Sequence, residues 1–111
     1  MDDAFGISER DLDGATVVTV TGEVDVATAP ALRDRLDQVA GKDGVVVDLA
    51  GVTFIDSTGL GVLIGVRKRY ADDGRELRLV VDEPRILRVF TISGLTELFS
   101  IHPSLDLALK A

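Results

Sequence analysis

The sequence predicts an α/β fold in which about four helices cover a small, mostly parallel β-sheet. Its length of 111 residues is typical of one domain. Strand-like and helix-like segments follow one another in the order β-β-α-β-α-β-α-β-α, and such alternation favours parallel strands. Only Asp13-Gly14, a hairpin turn signal, separates the first two strands, which predicts an N-terminal antiparallel pair. We therefore expect a single domain over residues 1–111, with its core from about 5 to 109.

Three strands are predicted in the first half of the chain. A short strand runs from Phe5 to Leu12, and a second runs from Ala15 to Gly22, where β-branched residues alternate in the manner of a strand with one covered face. The third strand, from Gly44 to Ala50, is a continuous apolar run. Such a run is typical of a central strand that is buried on both faces.

A helix is predicted between the second and third strands. Thr28 is expected to cap it, because a threonine hydroxyl can accept a hydrogen bond from a first-turn amide. Ala29-Pro30 suits the first turn, and Gly41 is expected to end the helix. The predicted inward face consists of Leu32, Leu36, Val39 and Ala40.

The second half of the chain continues the alternation of helices and strands. A helix is predicted from Ser57 to about Asp72, with Leu60, Leu63, Ile64 and Tyr70 among its inward candidates. The remaining elements are a strand at Leu77–Val81, a short helix from Pro84 to Ser93 stopped by Gly94, a strand at Leu98–Ile101 and a final helix from Pro103 to Leu109.

The composition argues against metal and cysteine chemistry. The chain has no cysteine, which excludes disulfides, thiolate metal sites and a cysteine nucleophile. A single histidine, His102, is too few for a histidine-based metal site. We therefore expect neither a metal nor a cofactor.

The charge argues against nucleic acid and membrane surfaces as partners. Asp and Glu number 19 against 12 Lys and Arg, which gives a formal charge of −7. An acidic surface repels phosphates, and the densest basic cluster, Arg67-Lys68-Arg69, is followed closely by Asp72 and Asp73. The first residues do not resemble a signal peptide, and no apolar run approaches the roughly 18–20 residues of a membrane span. We expect a cytoplasmic protein that is not inserted into a membrane.

A polar group, Asp56-Ser57-Thr58, lies where the predicted central strand gives way to a helix. In parallel sheets the carboxyl ends of the strands are the usual place for a functional site. The simplest interpretation is structural: Asp56 or Ser57 caps the helix, and Gly59, Gly61 and Gly65 let it lie close to the sheet.

Two enzymatic interpretations find little support. The glycines read G-x-G-x-x-x-G, with Asp82 about 20 residues further on, but a dinucleotide site requires G-x-G-x-x-G and no phosphate-binding loop motif is present. A serine hydrolase would use Ser57 as nucleophile, but the first glycine of G-x-S-x-G is missing and His102 is the only possible histidine base. We expect that the chain is not an enzyme.

The remaining interpretation makes Ser57 a phosphorylation site. A phosphate adds a charge of about −1.5 to −2 and three strong acceptor oxygens. Next to Asp56, and near Asp25 on another strand-end loop, it would make the surface sharply more negative and expel a partner bound there. The amides and dipole of a helix N-terminus would tolerate the phosphate, so the fold should survive.

Three sequence blocks resemble those of the STAS-domain anti-sigma factor antagonists. They are Gly22-Glu23-Val24-Asp25, the segment from Phe54 to Gly61, and the segment from Val89 to Leu95. The resemblance in order and spacing extends from about Phe5 to Leu109. It implies a STAS-like fold and a bacterial, cytoplasmic regulator of transcription that works by partner switching.

The resemblance also implies partners and site residues. The unphosphorylated form would bind an anti-sigma factor, a serine kinase of the histidine-kinase-like ATPase type, and so release the sigma factor. The kinase would phosphorylate Ser57, and a metal-dependent serine phosphatase would restore it. Thr58 stands where many relatives have a second serine, which makes it the less favoured acceptor. The implied switch region consists of Asp25, Asp56, Ser57, Thr58, Gly59, Leu60 and Gly61.

Two other roles remain open for a chain with this resemblance. It could be the STAS subunit of a lipid or anion transport assembly, where the same fold docks on an ATPase or permease. It could also be a scaffold in a large stress-sensing complex.

Overall fold

A computed structural model describes residues 4–39 and 44–111, which form five strands and four helices in the predicted order. The strands are β1 (Gly6–Leu12), β2 (Ala15–Val24), β3 (Val45–Ile55), β4 (Leu77–Val80) and β5 (Ser100–His102). The helices are α1 (Ala29–Gln38), α2 (Ser57–Asp72), α3 (Pro84–Ile92) and α4 (Leu105–Lys110). The sheet order is β1-β2-β3-β4-β5, with β1 antiparallel to β2 and the other pairs parallel. The predicted fold class is confirmed.

The hairpin between β1 and β2 turns at Asp13-Gly14 as predicted. Both residues have positive φ angles, 52° and 84°, as a two-residue turn of type I′ requires. The hydroxyl of Thr16 donates a hydrogen bond of 3.0 Å to Asp11 across the hairpin. The turn chemistry therefore accounts for the one antiparallel pair in the sheet.

Both faces of the sheet are apolar at its centre. Val45 and Val47 belong to a large cluster that includes residues of α1, α2 and α3, whereas Val46 belongs to a smaller cluster with Ala108 of α4. All three valines are 1% exposed or less. The prediction that this part of β3 is buried on both faces is thus confirmed.

β3 ends five residues later than predicted, at Ile55 instead of Ala50, and its second half pairs with β2 alone. The register with β4 runs only from Val45 to Asp48, whereas the register with β2 continues to Ile55 with two irregularities. Gly51 is needed in this stretch, because a Cβ there would lie 2.8 Å from Thr21 Cγ2. Gly51, which directly follows the predicted strand, is the residue that lets β3 continue beside β2.

The predicted side-chain cap of α1 by Thr28 is wrong, although Thr28 does precede the helix. Its hydroxyl donates to the Glu23 carbonyl at 2.8 Å and accepts from the Asp25 amide at 2.9 Å, so it is not bonded to the first turn. The hydroxyl closes the loop before the helix instead. Leu32, Leu36 and Val39 are buried as predicted. The predicted inward position at 40 and the stop at 41 lie outside the described residues.

α2 has the predicted bounds, but one of its predicted inward residues is wrong. Leu60, Leu63 and Tyr70 are buried, whereas Ile64 is 38% exposed and Val66 is buried in its place. Positions three or four apart share a helix face, so residues 60, 63, 66 and 70 form one row towards the sheet. Ile64 lies about 100° further round the helix from residue 63, beside the exposed positions.

Tyr70 ties α2 to α1. Its hydroxyl donates a hydrogen bond to the Leu36 carbonyl, and burial raises the pKa of the phenol. Arg69 adds an ion pair with Asp37, with a nitrogen–oxygen distance of 2.7 Å. These contacts hold the C-terminal half of α2 against α1 at the opposite end from Ser57.

The other element bounds agree with the sequence to within two residues. Ser104, after Pro103, caps α4 by accepting from the Leu107 amide at 3.2 Å, so α4 begins two residues later than predicted. Gly94 has a φ of 73° and follows α3 as predicted. Of the helices in residues 4–39 and 44–111, none is both long and apolar enough to cross a membrane.

Gly59 and Gly61 are expected to respond in opposite ways to alanine. At Gly59 a new Cβ would lie 2.7 Å from Val24 Cγ1 and 2.9 Å from Ile55 Cγ1, so Gly59→Ala should lower the free energy of unfolding. Overpacking of this kind costs about 1–3 kcal/mol. At Gly61 nothing lies within 4 Å of the new Cβ, so Gly61→Ala should raise the free energy of unfolding. The gain in helix propensity is at most about 1 kcal/mol.

Urea denaturation of the two variants and the wild type measures this difference. Each variant is the control for the other, since both add one methyl group to the same helix. Equal effects on the two variants would mean that α2 does not approach the sheet closely at Gly59.

Candidate functional site

The predicted switch region lies at the carboxyl ends of β2 and β3. These strands are parallel neighbours, Val24 is in register with Ile55, and the Asp56 amide donates to the Val24 carbonyl at 3.2 Å. Asp25 and Asp56 are therefore the first residues after two adjacent strands. Two positions that are 31 residues apart in the sequence (56 − 25) meet at one edge of the sheet.

Asp56 is the N-cap of α2. One carboxylate oxygen accepts hydrogen bonds from the Thr58 amide at 3.0 Å and the Gly59 amide at 3.1 Å. Its backbone carbonyl accepts from the Leu60 amide at 3.0 Å. The cap fixes where the helix begins and places Ser57 at the first helical position.

Ser57 is exposed, and its hydroxyl has no hydrogen-bond partner among the residues that the structure describes. Thr58, the next residue, is also exposed and its hydroxyl is likewise unbonded within the described residues. Both hydroxyls are thus accessible to an enzyme that modifies the chain. Accessibility alone therefore does not show which of the two hydroxyls is the acceptor.

Within residues 4–39 and 44–111, no histidine lies beside Ser57 to act as its base. His102 is on β5, which β4 separates from β3, and its ring pairs with Ser100 at 2.8 Å. An unassisted serine hydroxyl is a weak nucleophile. In the described part of the chain, Ser57 is thus an exposed hydroxyl with no histidine next to it.

The Asp25 carboxylate stabilises the loop between β2 and α1. One carboxylate oxygen accepts from the Ala27 amide at 3.0 Å and from the Thr28 amide at 3.1 Å. Together with the Thr28 hydroxyl, these bonds fix the connection between β2 and α1. Asp25 therefore has a structural role in addition to the negative charge that it contributes to this edge.

The glycines of α2 fall into two groups. Gly59 faces Val24 and Ile55 and lets the helix approach the sheet, while Leu60 is buried beside it. Gly61 is exposed and would meet no neighbour with a Cβ, and Gly65 would meet only the end of the Arg69 side chain at 3.2 Å. All three lie within α2, so these glycines do not form a loop that could surround a phosphate group.

Three exposed apolar residues near the site were missed by the sequence analysis. Val26 follows Asp25 and is 72% exposed, Phe54 lies two residues before Asp56 and is 46% exposed, and Ile64 lies on α2. The predicted third strand ends at Ala50, so no prediction covers the exposure of Phe54.

No metal site is evident in the part of the chain that the structure describes. Within residues 4–39 and 44–111, no three His, Cys, Asp or Glu side chains are grouped so that they could hold an ion. The acids at the carboxyl edge are engaged in turns and caps, as described above for Asp25 and Asp56.

Comparison with known proteins gives consistent matches. A sequence model of the family described as "STAS domain" matches residues 7–108. The chain is 38% identical over 103 residues to the anti-sigma-B factor antagonist of Listeria monocytogenes, a match that covers 91% of this chain and 90% of that protein. It is 38% identical over 85 residues to the protein of the same name from Bacillus subtilis, covering 76% and 78%. The crystal structure of an anti-sigma factor antagonist from Mycobacterium paratuberculosis has a TM-score of 0.87 and 32% identity, covering 96% of this chain and 92% of that one.

Proposed function

Since the chain belongs to the STAS domain family, we propose that it is an anti-sigma factor antagonist that works by partner switching. The unphosphorylated protein binds an anti-sigma factor in the cytoplasm and thereby frees a sigma factor. The anti-sigma factor is a serine kinase of the histidine-kinase-like ATPase type. It phosphorylates Ser57 and ends the interaction, and a serine phosphatase reverses this step. The names of the relatives that match over most of the chain support the antagonist role.

The single observation that carries the proposal is the setting of Ser57. Its hydroxyl is exposed and unbonded within the described residues, yet the Asp56 cap holds the backbone around it in one position. A kinase needs an accessible hydroxyl, and a partner needs a surface of defined shape. Ser57 provides both at the same place.

The unphosphorylated surface suits a protein partner. Val26 directly follows Asp25, Phe54 lies two residues before Asp56, and both expose apolar side chains, as Ile64 does further along α2. Gly61 leaves the outer face of α2 without a side chain, so a partner backbone can approach the helix closely. Burying this apolar area would contribute the favourable part of the binding free energy.

A phosphate on Ser57 would change the charge of this surface without needing a change of fold. The amides of Thr58 and Gly59 already bond to the Asp56 carboxylate, so the phosphate must either displace that carboxylate or stay beside it in solvent. In both arrangements a dianion and a carboxylate share the start of α2. A partner that presses there must desolvate these like charges, which opposes binding.

A pull-down from the source organism tests the function. Ser57→Ala and Ser57→Asp proteins serve as baits and are compared side by side. We expect Ser57→Ala to retain an anti-sigma factor kinase that Ser57→Asp does not retain. Capture of a transport ATPase or permease by both baits would instead support the transport role. Capture of a large stress-sensing complex would support the scaffold role.

A further inference from the structure

A polar cavity of about 190 Å³ lies at the other end of α2 from Ser57. It opens between the last turns of α2 and the amino ends of β4 and β5. Arg67, one of its lining residues, follows Ser57 by ten residues, or roughly 15 Å along the helix axis. The lining includes Arg67, Arg75, Glu76, Leu77, Leu98 and Ser100. We propose that this cavity binds a small organic anion through its two arginines. The proposal does not depend on the proposed function, because Ser57 takes no part in it.

Arg75 is held in place before any ligand arrives. Its guanidinium carbon lies 4.0 Å from the centre of the Tyr70 ring, and Nη1 donates to the Val39 carbonyl at 2.8 Å. The side chain is only 18% exposed, and the carboxylate nearest to it, that of Asp73, is 65% exposed and 3.6 Å away. A carboxylate that is so exposed to solvent neutralises little of the Arg75 charge. Because the side chain is ordered during folding, little entropy is lost when a ligand binds.

Arg67 contributes the charge that has no counter-ion. It is half-buried, and within residues 4–39 and 44–111 it forms no ion pair and no side-chain hydrogen bond. Its neighbour Lys68 is exposed, and Arg69 is paired with Asp37. A partly desolvated guanidinium without a partner is unfavourable, and an anion in the cavity would remove that cost. The basic cluster seen in the sequence therefore places one unpaired cation at this cavity.

The negative groups nearby are already engaged. The Glu76 carboxylate, the acid in the lining, forms an ion pair with Arg78 and is 60% exposed. The last carbonyls of α2 would also disfavour an anion, but they accept hydrogen bonds from the amides that follow the helix. The Asp73 amide donates to the Arg69 and Tyr70 carbonyls, and the Gly74 amide donates to the Ala71 carbonyl. The Arg75 amide also donates to the Tyr70 carbonyl. Two arginines thus face one acid among the residues that line the cavity, although the whole chain is acidic.

Size and lining define the class of ligand. Sites for drug-sized ligands usually measure about 300–1,000 Å³, so a cavity of about 190 Å³ is too small for a nucleotide. Leu77 and Leu98 offer apolar walls, and Ser100 offers a hydroxyl. A carboxylate or phosphate on a short carbon chain matches this combination. The two arginines would bind the oxyanion, and the leucines would contact the carbon chain.

An NMR titration of the full chain tests the proposal. Glycerol 3-phosphate and butyrate are the anionic probes, and glycerol and 1-butanol are their uncharged counterparts, all at constant ionic strength. We expect saturable shifts of the Ala71, Leu77 and Ser100 amides with at least one anion, at a Kd of about 1 mM or below. The uncharged probes should give no saturable shift.

Arg67→Gln and Arg88→Gln form the matched pair of variants. Both remove one arginine charge from a helix, but Arg88 is exposed on α3 and lies outside the cavity lining. Arg67→Gln should weaken anion binding by at least about tenfold, and Arg88→Gln should leave it unchanged. Arg75 is left intact because its contacts support the fold. The absence of saturable shifts with both anions, equal binding of the uncharged probes, or equal weakening by the two variants would overturn the proposal.

Discussion

Ser57→Ala should abolish phosphorylation of this chain by its cognate anti-sigma factor kinase. The wild-type protein should take up one phosphate per chain when it is incubated with kinase and ATP. The Ser57 hydroxyl is the acceptor that we propose, and no hydrogen bond within the described residues has to break before it reacts. Intact-mass spectrometry of the reaction mixture measures the uptake directly.

Thr58→Ala is the matched control, because Thr58 is the adjacent exposed hydroxyl on the same helical turn. This variant should still take up one phosphate. A Ser57→Ala protein that is phosphorylated, or a Thr58→Ala protein that is not, would show that the acceptor has been assigned to the wrong residue.

Ser57→Asp should weaken binding to the kinase by at least about tenfold, or roughly 1.4 kcal/mol. The new carboxylate lies beside the Asp56 carboxylate at the start of α2, and a bound partner would have to desolvate both. Phosphoserine should weaken binding more, since it carries a charge of about −1.5 to −2. Ser57→Ala should bind as tightly as the unphosphorylated wild type. Isothermal titration calorimetry gives the dissociation constants.

Two controls separate local charge from other causes. Thr96→Asp adds the same charge at an exposed position between α3 and β5, at the opposite end of the sheet, and should leave the affinity unchanged. Added salt should also reduce the difference between Ser57→Asp and wild type, because exposed charges are screened over about 8–10 Å at physiological ionic strength. If Ser57→Asp binds as well as wild type, electrostatic repulsion at Ser57 is not the mechanism.

The element order and the cap of α2 could be predicted because each depends on local chemistry. Apolar periodicity indicates strands and helices, the Asp13-Gly14 pair adopts the positive φ angles that its turn needs, and Asp56 caps the helix that follows it. The apolar run from Val45 to Val47, predicted to be buried on both faces, lies at the centre of the sheet. The prediction that β2 has only one covered face is wrong, because Val17 and Val18 are buried in the clusters on opposite faces of the sheet.

The features that could not be predicted depend on contacts between distant segments. β3 continues past Gly51 because β2 lies beside it with an irregular register, and no pattern within β3 contains that information. The hydroxyl of Thr28 bonds to Glu23 and Asp25 because the preceding loop folds back on it. In each case a contact with a distant segment replaced the structure that the local sequence predicts: the end of β3 at Ala50 and the cap of α1 by Thr28.

The exposure of Ile64 has a similar cause. An apolar residue four positions from Leu60 is usually inward, but the row that faces the sheet drifts through Leu63 and Val66 to Tyr70. Glycines at positions 61 and 65 remove the side chains that would otherwise mark the outer face as polar. The same glycines and Ile64 form the outer surface of α2, which we propose that the partner contacts.

Displacement of the sigma factor tests the proposed function most directly. A preformed complex of the cognate anti-sigma factor kinase with its sigma factor is mixed with this chain, either unphosphorylated or phosphorylated at Ser57. Native mass spectrometry then measures the free sigma factor. We expect the unphosphorylated chain to release the sigma factor and to replace it on the kinase, while the phosphorylated chain leaves the complex intact. Release by both forms would contradict the switch, and release by neither would contradict the antagonist role.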